Sequence, residues 1–380
     1  MRRALLLPLS FFATLSLLAG EVGPEIPVTE TGGEQRNVVV SSTSDRTLIA
    51  FDERTGDGPD RVVLHQYGVF VGMPAGRETF TVEPSTENQR RPALGHTMIG
   101  WVDEDPAGGK AWLTWQMLGR LTSTDDYGPV FKAERVEEAA PGTTVSILHR
   151  HVFHVLVWTA PDGRLKSVER SLVARIGYDR SSWYVTNERA FHPAAAGVTV
   201  SSVDPIVAYN YEIAPGQYGI RAAGLWGRSV QPPVDIAPAG ASEPRVVWNG
   251  TDFVILWSME SGGTYAQRVT SMGGVTVKIG GVQKLDEGVL HDGAVTSDGE
   301  YLVVVDQGMR FAVLRLDRNL ALAETTVFHA RLPEGERISI DASPWHPPLL
   351  AYASQTLSRA VFRTLSADDK VSGKKRRSSR

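Results

Sequence analysis

Apolar residues fall into short unbroken runs, several of which include a large aromatic side chain, and each then turns polar: TLIAFDE (47–53), MIGWVDE (98–104), VLVWTAP (155–161), IVAYNYE (206–212), VILWSME (254–260), LVVVDQ (302–307) and LLAYASQ (349–355). Runs this short, bounded by Gly, Asn, Asp and Ser, read as apolar strands. Their last residues recur every 47 to 57 positions, a step that suits four short strands with their turns. A shorter strand precedes each run. The joining turns are clearest at Thr43-Ser44-Asp45, Gly95-His96, Asn249-Gly250-Thr251 and Ser297-Asp298-Gly299, where Asn-Gly and Asp-Gly tolerate the positive φ of a tight hairpin. A third strand follows, and one position in it reads Gln66, Gln116, Arg170, Arg221, Arg268, Arg315 and Arg363. Two columns that keep phase over seven units predict an all-β chain folded as a seven-bladed β-propeller.

The two ends complete that expectation. The last unit stops after its third strand, Arg359 to Leu365, whereas Glu25 to Glu30 precedes the first unit with no partner. Pairing them would close the final blade with an N-terminal strand and remove an open sheet edge. Residues 1–20 read as a signal peptide: Arg2-Arg3, an apolar segment from Ala4 to Leu18, then Ala19-Gly20. Leu18-Ala19-Gly20-Glu21 is similar to a lipoprotein cleavage box but has Glu where the lipidated Cys would stand. A twin-arginine reading of Arg2-Arg3 is disfavoured by the flanking Met1 and Ala4. The propeller domain is expected over 21–366, and 367–380 as a disordered basic tail dispensable for folding.

The sequence contains no cysteine, which excludes disulfides, thiolate metal sites and a Cys nucleophile and fits a bacterial periplasmic or extracellular protein. A net charge of −4 gives no reason to expect nucleic acid as a partner. No stretch approaches the roughly 20 apolar residues of a membrane-spanning helix, so no transmembrane segment is expected. A monomer is expected.

The candidates for chemistry are sparse. Thr124 to Phe131 matches the Asp-box of sialidases and related propellers, with Asp126 pinning a turn, but one copy is structural at most. His149, His151 and His154 lie close in sequence, yet strand alternation points His151 and His154 to opposite faces, which argues against a metal site. Asp52, Asp57 and Asp60 could wrap a Ca²⁺, but their spacing departs from a calcium loop and a solvated hairpin tip explains them. No nucleophile elbow or phosphate-binding glycine loop occurs. No catalytic residue, metal ligand or cofactor is therefore assigned. The aromatic column Trp101, Trp158, Tyr209, Trp257 and Tyr352 is expected to pack between blades, and a turn at Gly262-Gly263 would set Trp257 across from Arg268. The column that ends the second strands, Glu53, Glu104, Pro161, Glu212, Glu260, Gln307 and Gln355, would place four carboxylates and two amides on one face. Glu53, Glu104, Glu212, Glu260, Gln307 and Gln355 are the candidate ligand-binding residues, weighed against plain solvated hairpin tips.

The stretch EPRVVWNGTDFVILW (243–257) is similar to repeats of secreted bacterial β-propeller-like proteins, in which a strand, an N-G-T-type turn and a V-x-W strand recur. The resemblance is close over residues 243–275 and looser at 296–306. It implies a fold and no substrate. The sequence therefore points to an exported non-enzymatic module for a glycan, peptide or cell-envelope protein. The alternative is a polysaccharide-directed glycoside hydrolase, which would need two carboxylates facing one pocket at roughly 5 to 10 Å separation.

Overall fold

The computed structural model describes residues 22–365 except 29–32, 43–45, 71–72, 96, 121–126, 130–131, 151–152, 172–180, 199–202 and 343–346. The expected signal peptide and basic tail, and with them Asp126 and His151, lie outside the described residues. Among the described residues there is no helix. Seven antiparallel sheets, each a path of four strands, form a β-propeller.

Five blades use four consecutive strands, as in the first: Glu34–Ser42, Arg46–Arg54, Arg61–Phe70 and Met73–Thr81; in the second, the short strand Tyr127–Pro129 pairs beside the third strand and Glu134–Ala139 is the fourth. The first strands of the remaining blades are Asn88–Gly95, Ser146–Arg150, Ala190–Ala196, Arg245–Trp248, Val289–Val295 and Ser339–Asp341. The seventh blade takes its fourth strand from the other end of the chain: Ile26 pairs with Phe362 and Pro27 with Val361. Backbone N–H groups of Gly23 and Val28 donate to Thr364 and Ala360, each at 2.9 Å. Pro27 is tolerated because the closing strand is an edge. Glu25 fastens the closure by accepting from the Tyr352 hydroxyl at 2.7 Å and from Arg363 at 3.0 Å. The Tyr67 hydroxyl of the first blade donates to the Val28 carbonyl at 3.1 Å, so this strand is held by both blades at the seam.

The second strands are buried on both faces, which is why they read as continuous apolar runs. Trp101, Trp158, Tyr209, Trp257 and Tyr352 are all at most 1% exposed. Each packs against the preceding blade, Trp101 on Leu48 and Leu64 and Trp257 on Ile206 and Ala208. Two blades are out of phase with the sequence column. Ala50 faces forward onto Trp101, and Val304 faces forward onto Tyr352, so the wedge positions of the first and sixth blades belong to Phe51 and to Val303 or Val305. The expected Trp257–Arg268 pairing is also corrected. Trp257 stands opposite Tyr265, stacked at 6.0 Å between centroids. Arg268 stands opposite Val254 and pairs with Asp252 instead. Its column mate Arg315 does the same with Glu300 at 2.6 Å, whereas Arg363 binds Glu25 ahead of the closing strand.

Candidate functional site

The first strands of all seven blades surround a central cavity of about 480 Å³. Its chemistry is set by bulges. In the first, second and fourth blades the pairing of first to second strand slips between Arg36 and Val39, Arg90 and Ala93, and Phe191 and Ala194. Inside each slip one non-glycine residue turns left-handed: Asn37 (φ 50°), Arg91 (φ 54°) and His192 (φ 47°). All three line the cavity. A bulge re-aims the side chain it carries, and a left-handed backbone costs a residue with a Cβ about 1 to 2 kcal/mol. The same strain at three equivalent positions around one cavity marks it as the candidate site.

Four blades contribute a charge network to its wall. Glu243, just before the fifth blade's first strand, meets His192 Nε2 at 3.6 Å, Arg337 at 3.1 Å and Arg245 at 3.9 Å. Arg245 also reaches Asp292 at 3.5 Å. Asp292 accepts from the Ile340 N–H at 3.0 Å and the Ser339 hydroxyl at 3.3 Å, which ties the sixth blade to the seventh. Burial alone would raise the Glu243 carboxyl, but Arg337, His192 and Arg245 overcome it and hold it below the usual carboxylate range. Asp292 is pushed up by burial against the pull of Arg245 and its hydrogen-bond donors. Burial and Arg337 lower His291 to about 4, leaving a neutral imidazole at physiological pH. Its Nδ1 accepts from the Ile338 N–H at 3.0 Å, so the ring proton sits on Nε2.

The six residues expected to bind ligand lie beside this cavity rather than on its wall. Glu53 accepts from the Gln35 amide at 2.8 Å. Glu104 is held by Arg91 at 2.6 Å, Arg90 at 3.2 Å and the Gly142 N–H at 3.0 Å. Glu212 accepts from the Gly216 N–H of its own hairpin at 3.2 Å. The backbone N–H of Glu260 donates to Gly240, and that of Gln355 to Arg331, each at 2.8 Å. Gln307 donates to Asp286 at 3.0 Å and accepts from Arg310 at 3.1 Å. The ring is also out of register: the bulge pairings place Arg54, not Glu53, level with Glu104. Gln307 inherits the one-residue slip of Val304.

Asp60 is clamped by Arg54, at 2.7 and 3.1 Å, and by Arg90. Guanidinium groups thus stand where a calcium ion was considered. His149 and His154 are cross-strand neighbours with ring centroids 5.5 Å apart, and His154 Nε2 shares a hydrogen with the Thr97 hydroxyl at 2.7 Å. Among the described residues no group of three or more His, Cys, Asp or Glu could hold a metal ion. Sequence reasoning passed over the cavity residues themselves. The only local signal was Glu243-Pro244-Arg245, two charges directly ahead of an apolar strand.

No protein-family model and no curated protein sequence matches the chain. Among solved structures it is similar to Trypanosoma rangeli sialidase in complex with sialic acid, at 10% identity and a TM-score of 0.50, over 92% of this chain and 58% of that one. It is also similar to virginiamycin B lyase from Staphylococcus aureus, at 10% identity and 0.51, over 90% of this chain and 99% of that one. A prolyl endopeptidase matches at 10% identity and 0.51, over 87% of this chain and 47% of that one. The chain therefore spans a little over half the length of the sialidase. At these identities the likeness is one of fold alone.

Proposed function

We propose that the protein is an exported, non-enzymatic propeller that binds a glycan or peptide group in its central cavity. The observation that carries this reading is the wall network of Glu243, His192, Arg245 and Arg337 from the fourth, fifth and seventh blades. Its charges are fixed and mutually compensated, which suits recognition of hydroxyls and charged ends at little cost of reorganisation. Glu243, kept ionised chiefly by Arg337, is a hydrogen-bond acceptor and a poor proton donor. A sialidase, a lyase and an endopeptidase share the architecture, so fold does not choose among functions.

One observation favours polysaccharide hydrolysis as the second reading. Glu243, Asp292 and Glu336 line the same cavity, Glu243 lowered and the other two raised by burial, the asymmetry an acid–base pair needs. A glycan and peptide array probed with the purified protein separates the two. The module reading expects retention of a defined set of ligands without cleavage. It also expects His192→Gln and Glu243→Gln each to weaken that retention about tenfold or more while the far-ultraviolet spectrum stays unchanged. Release of new reducing ends from a polysaccharide, abolished by Glu243→Gln, would replace it with the hydrolase.

A further inference from the structure

A second pocket, of about 250 Å³, opens where the first, second and seventh blades meet, beside the central cavity. The charges on its wall do not balance. Arg54 and Arg90 are bound to Asp60, Arg90 and Arg91 to Glu104, and Arg36 to Glu34. Every guanidinium on the wall is committed. Besides Glu334, two carboxyls of the wall stand outside these ion pairs: Asp52, only 5% exposed, and Glu336, which Arg36 draws on only through space.

Both are held by one residue. The Asn37 side-chain amide donates to Asp52 Oδ2 at 2.9 Å, and the Asn37 backbone N–H donates to Glu336 Oε2 at 2.8 Å. The other oxygen of Asp52, Oδ1, is buried, and no donor outside Asp52 itself reaches it; the carboxyl's second hydrogen bond comes from its own backbone N–H. A buried carboxylate oxygen with so poor a donor is under-satisfied, and a partner that donates to it would offset that cost. The missing partner must donate hydrogen bonds, and the uncompensated charge is negative. A bare metal ion does not suit, since no third ligand of the right type stands by. An ammonium group does, with three donors for two carboxyls. A pocket this small takes a head group rather than a whole ligand.

We infer that the pocket between Asn37, Asp52 and Glu336 is a receptor for a primary amine, as carried by an amino sugar or by a peptide. The inference is independent of what fills the central cavity, although Asn37 and Glu336 line both spaces, so one ligand could occupy the two together. Asp52 is pushed up to about 7 by burial, with smaller pushes from Glu336 and Asp60, against its hydrogen bonds from Asn37 and from its own backbone N–H. Arg36 and Arg90 are the cations that feel it. An arriving ammonium must displace the Asp52 proton below about pH 7, so affinity rises with pH across that value.

Isothermal titration calorimetry on the purified protein tests this with four probes: glucosamine, N-acetylglucosamine, Nα-acetyl-lysine amide and its Nε-acetylated form. We expect at least one free amine to bind, and its acetylated counterpart to bind about tenfold or more weaker. The two amine arms tell a sugar source from a peptide source. Asp52→Asn and Glu336→Gln should each weaken binding about tenfold or more. Lysine amide, charged to about pH 10, should bind several-fold tighter at pH 8 than at pH 6. No heat from either amine at about 10 mM, equal affinity for acetylated and free probes, or undiminished binding by Asp52→Asn would overturn the assignment.

Discussion

A chain lacking residues through 31 is expected to melt at least about 7 °C below one that begins at residue 21, and to self-associate. The loss is large because the closing strand serves two blades at once. Its removal deletes the Gly23 and Val28 backbone bonds to the last strand and the Tyr67 bond to Val28, each worth about 1 kcal/mol net. It also deletes the fully buried Val28 side chain, worth about 2 kcal/mol. Tyr352 and Arg363 lose their shared acceptor Glu25, and a half-buried guanidinium left without its acid adds to the cost. The sum is about 5 kcal/mol or more. At about 1.4 °C per kcal/mol for a chain of this size, that gives the stated shift. The exposed edge from Arg359 to Thr364 then offers unpaired N–H and C=O groups to another molecule. Circular-dichroism melts with size-exclusion chromatography measure both effects. An unchanged melt with monomeric elution would show that the seam closes without this strand.

The parts of the fold that were legible in the sequence are those where burial is two-sided. The second strands lie between neighbours on both faces, so they read as unbroken apolar runs and give away blade number and spacing. The orphan strand and the incomplete last blade were equally plain, because each lacked a partner in sequence. The first strands were legible as strands, but their register and the residues they turn toward the cavity were not, for the opposite reason. They line a polar cavity and carry bulges, so Asn37, Arg91 and His192 sit at places where the alternation breaks. A one-residue slip moves a side chain to the other face, which is how Glu53 and Gln307 entered a column they do not share in space. The cavity network joins residues from 192 to 337 through contacts between blades, and no local spacing announces such contacts. Arg268 failed similarly: the turn was placed correctly at Gly262-Gly263, but the register ran Trp257 to Tyr265.

Asp52→Asn is expected to make the protein more stable at alkaline pH and to leave it unchanged near pH 4. Asp52 lies in the second strand of the first blade, opposite Arg36 and Val62, and burial pushes its carboxyl up from the ordinary 3.8 to about 7. The folded chain therefore holds this proton more tightly than the unfolded chain. Its contribution is intact below about pH 4 and is lost as pH rises toward about 7, above which both states are ionised and the loss is complete. A shift of about three pH units corresponds to about 4 kcal/mol at most. Asparagine keeps an acceptor for the Asn37 amide and never ionises, so the variant escapes that loss. At about 1.4 °C per kcal/mol for a chain of this size, its melting temperature should exceed the parent's by about 6 °C at pH 8, and the gap should close as pH falls to 4. Glu243, whose carboxyl is lowered, acts with the opposite sign, favouring the folded chain above the ordinary carboxylate range and losing that as acid is added. It is present in both proteins and cancels in the difference. Thermal melts of the two proteins at pH 4, 6, 7 and 8 decide the matter. A variant less stable than the parent at pH 8, or a gap that does not move with pH, would mean that Asp52 is already ionised and satisfied in the fold. A gap that opens as described would identify Asp52 as a residue retained at the expense of stability, the signature of a binding site rather than of a structural acid.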